Sequence, residues 1–548
     1  MDTGSRATFV VLAAISALAG CGGGSGGGDN GSGQPPPRPA IPPVATTPTA
    51  VRVSQASPFR NGCLPVPGGS VIYTNAEVEP HLVIDPTNPN HLVAAWQQDR
   101  LSDGGALGLV TAVSVDGGMS WSGHRGAPFS QCAGGNFARV SDPWLSIAGN
   151  TVIQAGIAFT GAALSAGARS AVLASRSTDG GYSWSASVAL VDEDGSQHFN
   201  DKESVTIDPT DPRYVYVVWD RLDRDDRGPA MLSRSTDGGV SWSPAAVIYD
   251  PGAARQTIGN VVVVASSGVI VNFFTELGPA PADPTRQVGH LALIRSLDKG
   301  LTWSAPIRIA DLRAVGTRVP SQPQLQVRAG EILGSFAVNP QTGALYAAWQ
   351  DSRFTGGTRD SIALAVSHDS GTTWSEPIRV NSDPSVPAFT PTLAVLPNGA
   401  IGVAYYDFRQ TGSPGFQPTE FWLAISRDGA TWRETRLAGN FDLLNAPNAG
   451  GLFVGDYQGL AGVTSTFVAL YVRVNNGDTT NRTDTFADRV DSNVALAATM
   501  AMPRNALKEQ VPAWTAPAQA RVGEHLAAVS ELRRHQWQRW LESAPPRM

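Results

Sequence analysis

Four segments place a carboxylate near an arginine within four residues of an aromatic side chain. They are Trp96-Gln97-Gln98-Asp99-Arg100, Trp219-Asp220-Arg221, Trp349-Gln350-Asp351-Ser352-Arg353 and Tyr405-Tyr406-Asp407-Phe408-Arg409. A second polar group, Glu77, Glu79, Asp142, Asp201, Lys202, Glu203, Asp456 and Tyr457, lies just before apolar runs, and Glu276 ends another such run. Arginines fork onto carboxylates. Carboxyls beside a tyrosine can carry acid–base or nucleophilic steps. Together these residues suit an anion-binding mouth. The competing reading makes each Asp–Arg pair a strut that repeats because the fold repeats. Asp220, Asp223, Asp225 and Asp226 have the composition of a calcium loop, but they read as a solvated acidic loop. No metal and no other cofactor is expected.

Residues of this kind need a scaffold, and the scaffold is repetitive. Six segments align: Ser114 to Trp121, Ser177 to Trp184, Ser235 to Trp242, Ser296 to Trp303, Ser367 to Trp374 and the shorter Ser426 to Trp432. Each reads Ser-x-Asp, then one or two glycines or their substitutes, then Ser or Thr before Trp. Successive starts differ by 63, 58, 61, 71 and 59 residues. A period near sixty with strand-like flanks means stacked β units. Ser and Asp side chains accept bonds from nearby backbone N–H groups. Gly supplies positive φ. Trp drops its ring onto a neighbouring unit. The motif is therefore a structural hairpin staple.

Two short buried strands joined by an Asp-Pro or Asn-Pro turn precede the box, as in His81–Trp96, Ser204–Trp219 and Gly334–Trp349. With the strands flanking the box, each unit has four strands, which is a propeller blade. First strands begin near His81, Pro143, Ser204, Asn260, Gly334, Thr392 and Tyr457. This all-β chain therefore favours seven four-stranded blades, with six as the alternative. The seventh unit lacks a box, and 50–58 at the other chain end would supply its outer strand and close the ring. Box turns lie on one face. The loops before each first strand and after each second strand lie on the other, where a ligand would enter.

The chain ends differ from this body. Phe9 to Ala19 is an apolar run too short to span a bilayer, and it leads into Leu18-Ala19-Gly20-Cys21. Residues 1–20 read as an export signal, and 21–50, rich in Gly and then Pro, as a flexible tether passing into a stiffer spacer. The propeller occupies 51–500 and a C-terminal extension 501–548. Within the extension, Val522, Leu526, Val529, Leu532, Trp537, Trp540 and Leu541 recur at helical spacing from Ala516 to Ser543, with Arg521, Arg533, Arg534 and Arg539 among the polar positions. This predicts an amphipathic helix docked on the propeller. The 548 residues include 58 Gly, 40 Pro and 14 Trp, which suits many turns and aromatic anchors, and the net charge of −7 without a basic run excludes nucleic acid as a partner. Of 3 Cys, Cys63 and Cys132 remain in the body. In an oxidising compartment they either pair or stay as free thiols, and the sequence leaves both open.

The six boxes resemble the Asp-box, or bacterial neuraminidase repeat, of the sialidase superfamily, over roughly residues 60 to 490. The ending at Cys21 resembles a bacterial lipoprotein box. That resemblance implies lipidation of Cys21 and an exported protein anchored to the bacterial cell envelope, at the outer membrane or cell surface. The sialidase resemblance implies an exo-acting glycoside hydrolase on cell-surface or extracellular glycans. In that family an arginine triad grips the substrate carboxylate, a Tyr activated by Glu attacks the anomeric carbon, and an Asp is the acid/base. Carried onto this chain, Tyr457 or Tyr406 is the nucleophile, with Glu276 or Glu203 as its partner and Asp99 or Asp142 as the acid. Arg353 and Arg409 are later triad members, with Arg100 and Arg221 competing for those places. Arg60, in Phe59-Arg60-Asn61-Gly62, is the nearest match to the family's early Phe/Tyr-Arg-x-Pro element, with Gly62 where the family has Pro. The alternative function is a non-catalytic propeller that binds glycans or proteins at the same mouth. The expected partners are a carbohydrate and a membrane, the latter reached through the lipid anchor.

Overall fold

The computed structural model describes residues 50–65, 70–497 and 511–542. Cys21 and its tether lie outside them. Short apolar runs alternate with turns rich in Gly, Asn and Asp, and the runs pair antiparallel. Among the described residues the pairing falls into seven sets of four strands. The first is Ile72–Asp85, Asn88–Leu101, Ala106–Ser114 and Ser122–Arg125. The second is Arg139–Ala148, Thr151–Thr160, Arg169–Ser177 and Val188–Asp194, and the third His198–Ile207, Val215–Asp223, Ala230–Ser235 and Ala246–Tyr249. The fourth is Gln256–Val264, Ile270–Ala280, Asp283–Ser296 and Ile307–Leu312, and the fifth Ser335–Val338, Leu345–Asp351, Ser361–Ser367 and Ile378–Arg379. The sixth is Ala388–Val395, Ile401–Asp407, Pro418–Ser426 and Arg433–Asp442. The seventh holds Gly459–Val463, Thr466–Val474 and Thr483–Asp491, and takes Val51–Arg52 from the other chain end as its outer strand. Val51 lies opposite Ala487 and Arg52 opposite Phe486. The first strands of successive sets touch in turn, and that of the seventh touches that of the first. The sets thus surround one axis as a β-propeller.

The boxes act as staples. In the second, Asp179 Oδ1 accepts the N–H groups of Tyr182 at 3.1 Å and Ser183 at 2.9 Å, and Ser177 Oγ accepts Gly181 N–H at 2.8 Å. The two residues after Asp must turn left-handed. They are Gly180 and Gly181 here, but Lys299 (φ 59°) and Ser370 (φ 58°) fill the first position in the fourth and fifth boxes. Each Trp reaches the preceding set. Trp184 packs beside Val93 and Val113, and its Nε1 donates to Thr111 Oγ1 at 3.2 Å. A hydroxyl bonded to each carboxylate (Ser120, Ser183, Ser241, Thr302 and Thr373) holds Asp116, Asp179, Asp237, Asp298 and Asp369 down at about 2. A carboxylate depressed by folding stabilises above its unfolded value near 4 and loses that contribution as pH falls toward 2. The melting temperature should therefore drop steeply between pH about 4 and 2. Replacing Asp116, Asp179 and Asp237 together by Asn should flatten that slope, and thermal melts across pH check it; an unchanged slope would assign the acid transition to other groups.

A hairpin, a disulfide and the long C-terminal helix decorate the loop face, whereas a short helix lies by the sixth box, where Arg427 bonds Asn493. A hairpin of Thr317–Val319 and Gln322–Arg328 follows the fourth set, and its second strand runs parallel to Leu452–Phe453, which precedes the seventh. Cys63 and Cys132 form a disulfide, with Cα atoms 5.3 Å apart. This settles the alternatives that the sequence leaves open. A short helix, α1 (Ser492–Ala497), follows the last strand, and α2 spans Ala516–Glu542. Val522 and Leu526 of α2 are buried against Leu277, Leu312 and Phe354, so the amphipathic helix docks on the propeller.

Candidate functional site

The site is built by a repeated irregularity. The first strand slips register against the second at Val78/His81, Ser141/Trp144, Asp201/Ser204, Ile258/Val261 and Phe389/Thr392. Each slip contains a left-handed residue: Glu79 (φ 53°), Asp142 (φ 55°), Lys202 (φ 46°), Gly259 (φ 66°) and Thr390 (φ 51°). A bulge bends the strand and re-aims a side chain. A non-glycine residue held there costs about 1–3 kcal/mol and persists only where the surroundings enforce it. Three such bulges carry Glu79, Asp142 and Lys202 from consecutive sets.

Their side chains meet at Lys202. Its Nζ donates to Asp142 Oδ1 at 2.5 Å, Asp456 Oδ2 at 2.9 Å and Glu79 Oε1 at 3.2 Å. All four residues are buried. Arg328 forks onto Asp456, with Nε 3.0 Å from Oδ1 and Nη2 bonded to Oδ2. Arg100 Nη1 donates to Gln97 Oε1 at 2.6 Å, and the guanidiniums of Arg100 and Arg328 both lie over the Phe453 ring. Gln97 also donates to Glu79 Oε2 and Ser141 Oγ. Tyr457 sits beside this group, its ring 5.6 Å from Lys202 Nζ and edge-on to Trp144 at 5.4 Å.

Electrostatics separates the carboxyls. Burial, reinforced by Asp142, pushes Glu79 up to about 8. Burial likewise raises Glu203, whose two carboxyl oxygens have no hydrogen-bond partner. Asp456 is also buried, yet Arg328 and Lys202 hold it well below the usual carboxylate range. Burial and the surrounding carboxyls keep the Tyr457 phenol neutral. Burial beside Arg328 lowers Arg100 to about 10. A neutral acid and an ionised carboxylate thus stand in one cluster.

The cluster lies between two cavities. The one at the loop face has a volume of about 240 Å³ and is lined in part by Arg100, Arg328, Ile258, Leu333 and Val529. The other, of about 180 Å³, runs along the inner strands past Trp144, Glu203, Phe336, Leu393 and Tyr457. Asp142, Lys202 and Asp456 line both. Each volume lies below the roughly 300 Å³ at which drug-sized pockets begin, so the ligand is small or enters by one end.

Of the residues expected from sequence, Asp142, Glu203, Tyr457 and Arg100 come together here. The others do not. Asp99 is a clamp: it accepts Ser57 Oγ at 2.5 Å and Asn75 N–H at 2.7 Å, pinning the N-terminal segment. Glu276 is engaged by Tyr249 Oη and Arg255 Nε, each at 2.7 Å, and is not a partner of Tyr457. Tyr406 is buried and bonded to Val472 and Gln458. Arg60 is exposed in the loop leading to Cys63. Arg221 pairs with Asp223 at 2.9 Å and Glu193 at 3.3 Å, Arg353 with Asp351 at 2.8 Å, and Arg409 with Asp407 at 2.6 Å and Glu434 at 2.9 Å. These three arginines are struts, because each finds a carboxylate of its own set within reach. In the acidic loop, Asp223 is taken by Arg221 and by His198 Nδ1, 2.6 Å away. Arg328 is not foreseen from its sequence neighbourhood. Its only signal is the 71-residue interval between the fourth and fifth boxes, the longest of the five, which houses the hairpin that delivers it.

No protein-family model matches the chain. It is 28% identical over 193 residues to the xyloglucanase Xgh74A of Acetivibrio thermocellus, a stretch covering 32% of this chain and 19% of that protein. Among solved structures it is similar to the Hadza microbial sialidase Hz136, with a TM-score of 0.41 and 17% identity over 74% of this chain and 75% of the other. It is also similar to the α-L-arabinofuranosidase Arb93A of Fusarium graminearum, with a TM-score of 0.43 and 11% identity over 82% of this chain and 99% of the other. For the Trypanosoma rangeli sialidase the values are 0.40 and 14%, over 66% and 58%.

Proposed function

We propose that the chain is a glycoside hydrolase, sialidase-like in layout, that cleaves a glycosidic bond at the axial cluster. One observation carries this reading: carboxyls of opposed proton affinity line the inner cavity together, Glu203 raised by burial and Asp456 held down by Arg328 and Lys202, with Asp142 on the same wall. Glycoside cleavage needs such a pair, one carboxyl neutral to protonate the leaving oxygen and one charged to support the oxocarbenium-like centre. Glu203, raised by burial and lining the inner cavity, is the proton donor in this reading, and Asp142, which lines both cavities, is the second carboxyl group. Tyr457 forms the wall beside them. Its burial among carboxyls opposes phenolate formation, so it serves as a hydrogen-bonding platform.

The test is hydrolysis of a panel of fluorogenic glycosides, a sialoside included, by the full chain. Asp142→Asn and Glu203→Gln should each lower kcat by about 10²–10⁴, with KM changing less. Turnover that survives both substitutions would remove the cluster from the chemistry. A second reading, a glycan-binding propeller without catalysis, is favoured by the saturation of Lys202 and Arg328 with carboxylates. Retention on a glycan array without turnover of any glycoside would select it. In either case we read the chain as exported and lipid-anchored through Cys21, and the Cys63–Cys132 disulfide supports an oxidising compartment. Loss of membrane retention in Cys21→Ser tests the anchor.

A further inference from the structure

We propose that the axial site takes an uncharged sugar rather than a sugar acid, and that Asp456 is the residue that sets this choice. The inference rests on the reading of the axial cavities as a glycan site. A substrate carboxylate is recognised by a bidentate arginine with a second cation beside it. The chain has that grip, and it is already filled from within. The fork of Arg328 closes on both oxygens of Asp456, and Lys202 Nζ adds a third bond at 2.9 Å. Asp456 is 7% exposed, so water does not compete for these bonds.

The loop-face cavity presents three cations, Arg100, Lys202 and Arg328, against five carboxyls, so its wall carries no surplus positive charge. Arg100, the remaining cation of that wall, is held by Gln97 Oε1 at 2.6 Å rather than by a carboxylate, and its neighbour Arg328 is already engaged by Asp456, so Arg100 lacks the free second cation that such a grip needs. Arg221, Arg353 and Arg409 are each bound to carboxylates in their own sets. A sugar acid entering here would meet Asp142 and Asp456 at close range, with Lys202 and Arg328 already engaged and Arg100 alone to offset them. A neutral ring meets what it needs. Its hydroxyls can donate to Asp142 and Glu203, and Trp144 adds apolar surface to the lining of the inner cavity.

The fluorogenic panel, applied to the full chain, separates the two propositions. Turnover of neutral pentosides or hexosides with none of the sialoside or a glucuronide supports the inference. Turnover of the sialoside or glucuronide alone overturns it and leaves the hydrolase reading standing. If no glycoside is cleaved, the hydrolase reading falls, and calorimetry on the wild-type chain decides the inference. Binding of neutral oligosaccharides sustains it; binding of free sialic or glucuronic acid, or of neither class, refutes it. A second arm vacates the grip. Asp456→Asn keeps the side chain's shape but frees Arg328 and Lys202. Acetate, followed by thermal shift, should bind this variant about tenfold or more tightly than the wild type. Equal acetate binding by both would show that Asp456 does not fill the anion position. If Asp456→Asn does not fold, calorimetry on the wild type alone decides between the two sugar classes.

Discussion

Lys202→Met lowers the stability of the chain by about 3–5 kcal/mol at pH 7, the cost typical of removing one partner from a buried ion cluster. The methionine keeps the stem's approximate volume, so packing changes little. What disappears is the ammonium that Asp142, Asp456 and Glu79 share at 2.5, 2.9 and 3.2 Å. Burial then leaves three carboxyls facing one another, with Arg328 on one of them. The gap between wild type and variant should narrow as pH falls. In the wild type Lys202 and Arg328 depress Asp456, so its contribution is complete above the unfolded value near 4 and fades below it. The variant has already lost part of that contribution. Urea unfolding of both proteins at pH 7 and near pH 4, followed by tryptophan fluorescence, measures the gap. A difference below about 1 kcal/mol at pH 7 would place Lys202 among weakly coupled surface charges and remove the premise of a desolvated axial cluster.

Replacing Cys63 and Cys132 together by Ser costs about 4 kcal/mol, the loop-closure entropy that a 69-residue separation returns to the unfolded chain. The bridge lies among Leu64, Leu101 and Leu107, which pack around it, and serine does not refill that volume. The same loss should follow when wild type is unfolded in the presence of a strong thiol reductant, while the double variant should be indifferent to reductant. That pairing separates the crosslink from the packing: a serine variant destabilised well beyond the reduced wild type would shift the weight to lost contacts. Measured unfolding near that of the oxidised wild type would mean that the unfolded chain is already compact around residues 63–132.

The propeller was legible because its signals are local. Ser-x-Asp-Gly-Gly-x-Ser/Thr-Trp contains within eight residues the donors, acceptors and positive φ that its turn consumes, so no distant partner is needed to recognise it. The docked helix was legible for the same reason, since Val522 and Leu526 lie one turn apart and both are buried. The outer strand at Val51–Arg52 was reachable by counting, because a propeller with an open edge leaves a row of unpaired groups.

The site divided along a different line. Asp142, Glu203 and Tyr457 are legible because they stand just before the apolar runs of first strands; Asp142 and Glu203 lie in those strands at their bulges, and Tyr457 just before one. Asp99, Glu276, Arg221, Arg353 and Arg409 occupy positions just as polar in the sequence, yet they turn to neighbours two to 42 residues away. Which carboxylate an arginine reaches depends on the direction of its Cα–Cβ bond and on register, and a one-residue bulge reverses both. The type of each residue, the box turns and the four-strand rhythm were determined by the sequence itself. The tertiary structure alone decided that residues 79, 142, 202, 328 and 456, spread over nearly the whole propeller, share one buried charge cluster, because ring closure brings first strands together and burial makes their mutual charges strong.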